Sequence, residues 1–483
     1  MRAFLGEDSL RIDEINDLSL STFLSVQLKN IRRSPSFRSG PNGPAKARRA
    51  SRNARTKFLN KLFLSKKRKR RVLNNIPALL YKLKDHKVRD CLYPNFQTDW
   101  IPIQRRFKKK ISKEIFLTDF SFARNPHGTL TKLSELAEAC CSSLDLRLHF
   151  LDKKCDDVAP YMALAHLTRG LPPIIAGGKI THEIGAVVTA VNMCQELGIY
   201  SIEKYQDSEE YSISAFKMAH RAPPGTFGDK DHLLRPQYKE IVADRFCDTL
   251  NGWIKSHGLE LTVRAESSFC RAIGEALDNA ERHGDITKQG SEGDWSISAF
   301  CRLLKNNEGS PLLRCSVGIV SVGATISQSL STAAPEVRKQ IDEYVQKHTP
   351  IFGGRYSSES LRTVMALQDG ITRIESATQG RRGGVGFMEL IEVFSALGDN
   401  GRPEDTSVFT IVSGNTCIRI CDPYKRGMPK DGGLRELWFN ANNDRGQAPS
   451  QEHVISLKDA FPGVILSACF TIDPEYLRKK LEK

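Results

Sequence analysis

Apolar positions recur along this chain with two periods, and the switches between them divide it. Leu144–Phe150 (LDLRLHF) alternates apolar and polar residues and predicts a strand, whereas Leu130–Cys141, Asp156–Leu167 and Thr181–Leu197 carry the three-to-four spacing of helices. A short apolar run at Pro173–Ala176 adds a further strand, so the strand–helix alternation predicts a small α/β unit over residues 114–205. Residues 206–235 are polar, carry Pro223, Pro224, Gly225 and Gly228, and read as a linker. Beyond it, Pro236–His257 and the stretch from Ser267 predict helices, and Trp295–Leu303 and Leu312–Val322 predict neighbouring strands. Helical patterns follow at Ser331–Thr349, Leu361–Asp369 and Phe387–Leu397. Val408–Ser413 and Cys417–Cys421 read as a hairpin around Gly414 and Asn415, and Val464–Ile472 as a last strand. The expectation is a second α/β domain at 236–475 and a short tail at 476–483.

The helix predicted over Ser267–Asp285 carries two stripes. Ile273, Leu277 and Ala280 form a narrow apolar one, while Glu275, Asn279 and His283 follow one another at four-residue intervals as a polar one. A carboxylate and an amide oxygen one turn apart suit a hydrated Mg²⁺ carrying phosphates, because that ion takes one or two protein oxygens and fills its octahedron with water and phosphate. The same carboxylate can take a proton from a water or hydroxyl. The plain alternative is a solvated helix face.

About a hundred residues later, Gly380, Gly383, Gly384 and Gly386 precede the apolar helix Phe387–Leu397, with Arg381 and Arg382 among them. Backbone N–H groups of such a loop, backed by a helix N-terminus, make an anion site. Glu275, Asn279, Ala280, His283 and Gly284 together resemble the asparagine box of the GHKL ATPases, the superfamily of gyrase, MutL and the histidine kinases. Ser321, Gly323 and Thr325 stand where that family has its adenine-binding Asp-x-Gly, with Ser321 in place of the Asp, and Arg382, Gly383, Gly384, Val385 and Gly386 stand where it has the phosphate lid. The resemblance implies a two-layer α/β sandwich of the Bergerat type, ATP and Mg²⁺ as ligands, Glu275 as general base and Asn279 as the metal ligand. His283 and the residues around Ser321 and the glycine loop would complete the nucleotide site. Val464 replaces the Thr frequent in the family's last strand. The layout of residues 114–205 weakly resembles the STAS-like domains that accompany GHKL modules, without a Ser or Thr at the turn where signalling members are phosphorylated. A docking role toward a protein partner follows for it.

Charge sharpens the division. Residues 1–113 hold 29 Lys and Arg against 8 Asp and Glu, a balance of +21, while 42 basic and 48 acidic groups in the remaining 370 residues leave −6. Residues 32–56 are rich in Ser, Arg, Pro and Gly, and basic clusters at Lys66–Arg71, Lys82–Arg89 and Arg105–Lys110 are interleaved with Tyr81, Tyr93, Phe96, Trp100 and Phe107. Lys and Arg neutralise phosphates and aromatic rings stack on unpaired bases, so residues 32–113 are expected to bind nucleic acid, with a solvated basic tail, an acidic protein surface and an anionic membrane surface as the alternatives. The 12 Cys form no metal signature and read as reduced core thiols of a cytoplasmic protein. No run of 18 apolar residues occurs, and no membrane association is expected. The combined expectation is a slow Mg²⁺-dependent ATPase switch, able to self-associate, coupled to a basic partner-binding region. A protein kinase and a non-catalytic scaffold are the alternatives. For the kinase, His166 is the nearest phosphoacceptor to consider, and the Pro172–Gly178 segment after it favours a core or surface histidine instead.

Overall fold

The computed structural model describes residues 87–94, 112–142, 145–168, 175–194, 196–197, 199, 213–221, 239–283, 294–305, 309–349, 356–371, 386–402, 407–429 and 434–481. The basic stretches at 32–86 and 95–111, the residues 372–385 that hold most of the glycine loop, and His283's side chain lie outside them.

The chain begins its described course with helix α1 (Lys87–Leu92) and strand β1 (Ser112–Leu117). It continues through α2 (Pro126–Ser142), β2 (Asp145–Phe150), α3 (Ala159–Thr168), β3 (Ile175–Ile180) and α4 (His182–Ala190). β1, β2 and β3 pair in parallel in that order, each followed by a helix, as the strand–helix alternation requires. Then come β4 (Ile213–His220), α5 (Lys239–Lys255), α6 (Val263–His283), β5 (Asp294–Lys305) and β6 (Pro311–Val322). The helices α7 (Ile326–Leu330), α8 (Pro335–His348), α9 (Ser358–Ala366) and α10 (Gly386–Leu397) lead to β7 (Val408–Ile420). The short strands β8 (Met428–Pro429) and β9 (Arg435–Glu436), the long β10 (Val454–Ile472) and α11 (Pro474–Leu481) complete the described residues. Among these residues the larger sheet has five antiparallel strands in the order β4-β5-β6-β10-β7.

An α/β class is therefore present, and its two units pack together. Odd-numbered positions of β5 and β6, including Trp295, Ile297, Ala299, Leu313, Cys315, Val317 and Ile319, share a core with α5, α6 and α10. Even-numbered positions include Phe300, Val320 and Val322, which share a second core with α2 and α3 of the small unit. The large sheet carries its own helices on one face, and its other face is not free but covered by α2 and α3 of the small unit, so the two units are not separate bodies. The reason lies in the even-numbered polar residues. Ser296, Ser316 and Arg302 look like a solvent face in the sequence, but they are at most 4% exposed and each bonds to the small unit. His166 Nε2 lies 2.8 Å from Ser296 Oγ, and Val158 N donates to Ser316 Oγ at 2.9 Å. Arg302 Nη2 donates to the Cys155 carbonyl at 2.9 Å and pairs with Glu183 at 2.7 Å. His166 is thus a core residue.

Three further expectations change. Residues 213–220, inside the stretch read as linker, form β4, an edge strand of the large sheet. The hairpin around Gly414 is absent: β7 is continuous from Val408 to Ile420, and Gly414 (φ +56°) lies at an irregularity in its pairing with β10. The basic cluster ending at Arg89 is partly built into the body, since Val88, Arg89 and Leu92 of α1 are buried and Cys91 Sγ donates to the Ala460 carbonyl.

Most described thiols are free, and burial pushes the Cys417 thiol up to about 12, which keeps it protonated and inert. Cys247 of α5 and Cys270 of α6 differ. Their Cα atoms are 5.8 Å apart and the sulfurs are in disulfide contact, so a uniformly reduced set does not hold. Twenty-three residues of sequence separation hide a pair that helix packing makes adjacent.

Candidate functional site

α6 forms because its apolar residues repeat on one side. Phe269, Ala272, Ile273 and Leu277 are at most 1% exposed, and Phe269 packs on Phe246 of α5 and Phe394 of α10 with centroids 5.6 and 5.8 Å apart. Burying such side chains stabilises by roughly 1.5–3 kcal/mol each, which holds the helix against the sheet whatever its polar face does. On that polar face Glu275 and Asn279 are half-buried, one turn apart, and neither makes a hydrogen bond among the described residues. His283 is the last residue of the helix.

α10 approaches the same face. Glu389, in its first turn, takes two hydrogen bonds from Arg271 (3.0 and 2.9 Å), and Phe394 meets Phe269 further on. α10 thus lies alongside α6 at Arg271 and Phe269. Gly386 opens that helix. Arg382, Gly383, Gly384 and Val385 fall outside the described residues.

Ser321 sits on the α6 side of β6, opposite Trp295 on β5 and Val464 on β10. Trp295 Nε1 donates to Glu281 Oε1 at 2.9 Å, which ties the C-terminal half of α6 to the strand beside Ser321. The Ser321 hydroxyl reaches the Val464 carbonyl at 3.4 Å. Gly323 N donates to the Pro462 carbonyl at 3.2 Å. Thr325 is the N-cap of α7: its Oγ1 accepts from Gln328 N at 3.1 Å and its N–H donates to Gln328 Oε1 at 2.9 Å, a reciprocal capping box. Gly463 closes the arrangement. At φ +121° a Cβ there would lie 2.0 Å from the Ser321 carbonyl oxygen, so only glycine lets β10 come this close.

Below this row lies a charged cluster that the sequence did not announce. Glu281 is paired with Arg221, just after β4, and lies 3.2 Å from Lys239 at the start of α5, which also pairs with Asp278. Burial opposes ionisation of Glu281, but hydrogen bonds from Trp295, Arg221 and Lys239 outweigh it and hold its pKa below the usual glutamate value. Its only sequence signal was an acidic residue two places after Asn279. Both basic partners come from stretches assigned to a linker or a helix start.

No protein-family model matches the chain, and neither a curated protein nor a solved structure is significantly similar to it. Among the described residues no helix is long and apolar enough to cross a membrane.

Proposed function

We propose that this chain is a GHKL-type ATP-binding protein with a Bergerat-type nucleotide site, acting as a slow Mg²⁺-dependent ATPase switch whose state controls how the basic N-terminal region engages nucleic acid or a partner. The observation that carries the reading is the pair Glu275 and Asn279: two polar side chains one turn apart, half-buried and without hydrogen bonds, on the stripe of α6 whose Arg271 bonds to Glu389 in the first turn of α10.

These residues fit Mg²⁺ and a polyphosphate. Asn279 offers a neutral side-chain oxygen to the ion, and Glu275 is placed to hold and accept a proton from an attacking water. The N–H groups of Gly383–Gly386 and the N-terminus of α10 bind phosphate oxygens, and Arg382 adds a charge-assisted contact. ATP, when bound, supplies the transferable phosphoryl group. At the base end, Ser321 offers a hydroxyl where a carboxylate would recognise adenine, a difference of about 1 kcal/mol in hydrogen-bond strength. Selectivity for adenine over guanine is therefore expected to be modest.

The test is thermal unfolding with Mg-ATP and Mg-GTP. Ligand at about 100 times its dissociation constant should add about 2.7 kcal/mol of stability. No shift with either nucleotide sinks the reading and leaves the scaffold alternative. With γ-labelled ATP, free phosphate is expected; stable label on the chain would instead favour the kinase reading. His166, 6% exposed and bonded to Ser296, is poorly placed to be such an acceptor.

A further inference from the structure

The three-stranded sheet turns one face inward and leaves the other to solvent. Ile115, Leu117, Leu146, Leu148 and Phe150 point into the core shared with α2 and α3. Alternate residues point outward, and the parallel register aligns them in two rows: Phe116–His149–Lys179 and Glu114–Arg147–Gly177. Phe116 is 47% exposed and its ring stacks on His149 with centroids 4.7 Å apart and planes at 17°. His149 beneath it is 7% exposed, and neither of its ring nitrogens has a hydrogen-bond partner. Glu114 stands 3.8 Å from His149 and 3.7 Å from Arg147, and Arg147 and Lys179 face solvent.

We propose that this outer face is a base-stacking platform for single-stranded nucleic acid. An upstanding ring backed by a second ring is the geometry that accepts the flat side of an unpaired base, and stacking of this kind tolerates any base. Cations flank the ring: Arg147 and Lys179 on the sheet, with Lys153 and Lys154 exposed at its C-terminal edge. Glu114 pairs with Arg147, and Asp119 and Asp152 share the edge with Lys153 and Lys154, so Lys179 and the two edge lysines are the cations left to complement a phosphate backbone. A protein partner would need contiguous apolar surface, and Phe116 and Leu151 are the large exposed apolar residues here. The proposal deepens the nucleic-acid part of the reading above and is independent of whether ATP binds.

The experiment measures anisotropy of a fluorescein-labelled, mixed-sequence RNA of about 20 nucleotides, long enough to span a typical site. It uses the full-length chain, over a range of salt, with the matching duplex and anionic vesicles as competitors. Phe116→Ala should weaken single-strand binding roughly tenfold while Phe116→Trp keeps it, and the salt slope should not move because a ring releases no counterions. Lys179→Ala should lower both affinity and salt slope, the slope by about one. Unchanged melting of Phe116→Ala excludes misfolding. If the parent binds RNA and Phe116→Ala binds it equally well, the platform is overturned while the basic region keeps its role. If the parent binds no RNA, both fall. Competition by duplex or vesicles as strong as by single strand also overturns the platform.

Discussion

Asp157 and Glu281 show how a buried and a half-buried carboxylate are kept. Asp157 is 1% exposed and only accepts: from Phe122 N (2.7 Å), Ala123 N (3.2 Å) and Ser121 Oγ (3.2 Å) on one oxygen, and from Ala159 N (3.0 Å) and Ser467 Oγ (2.7 Å) on the other. Asp157→Asn should cost about 1–3 kcal/mol in chemical denaturation, because its NH₂ would confront donors that lose their acceptor. Glu281 titrates. Its folded pKa lies below the ordinary 4.5, so the stability it contributes is present above about pH 4.5 and is lost as pH falls through the lowered value. Melting of the parent should therefore decline more steeply below that pH than melting of Glu281→Gln, and parallel curves would discount the cluster. Within the proposed site the variants separate: Asn279→Ala should abolish Mg²⁺-dependent nucleotide binding, whereas Glu275→Ala should keep binding and lose turnover. Equal turnover by Glu275→Ala and the parent would remove the assigned base. Both residues were visible in the sequence, because helical periodicity alone puts positions four apart on one side. Their freedom from hydrogen bonds was not, since it depends on what α10 and the sheet place nearby.

β10 and α6 each do more than one thing. β10 pairs with β6 over Gly463–Ile472 and with β7 on its other edge, and its irregular start brings Pro462 and Gly463 against Ser321 and Gly323. Gly463→Ala should destabilise by roughly 1–3 kcal/mol and also weaken nucleotide-dependent stabilisation, because the new Cβ would push β10 from the base end of the site. A loss of stability with full nucleotide response would separate Gly463 from the site. The sequence reading started β10 at Val464, ten residues late, and split β7 in two. In both cases a glycine was taken as an end of pairing, whereas the strand runs on through a bulge that only its neighbours reveal.

The two units share one core, and this sets how the molecule should unfold. Arg302 of β5 is 4% exposed and is bonded to Cys155 and Glu183 of the small unit. Gly318 of β6 has Met162 and Ala159 of α3 so close that a Cβ would lie 2.6 Å from the Met162 sulfur. Removing one partner of a buried ion pair strands the other, so Glu183→Ala should cost about 3–5 kcal/mol in denaturant. It should lower the transition seen by far-ultraviolet dichroism and that seen by tryptophan fluorescence together. Separate transitions in the parent would contradict a shared core. A fragment starting near residue 206 should expose the even-numbered face of β5 and β6 and aggregate.

What could be read from the amino acids alone was what short-range periodicity encodes: the strand–helix alternation from β2 to α4, the two-striped helix with Glu275 and Asn279, the apolar helix after the glycines, and the uneven charge. Local spacing dictates these because a helix or strand sorts its residues by direction before anything packs on it. Packing decided the rest. It turned a polar strand face into a dry interface, recruited residues 213–220 as an edge strand, joined Cys247 to Cys270, built the Glu281 cluster from three separate segments, and left Phe116 standing on an unbonded His149. Each depends on contacts between residues far apart in the chain, and no local pattern records which of two faces will be covered, or by what.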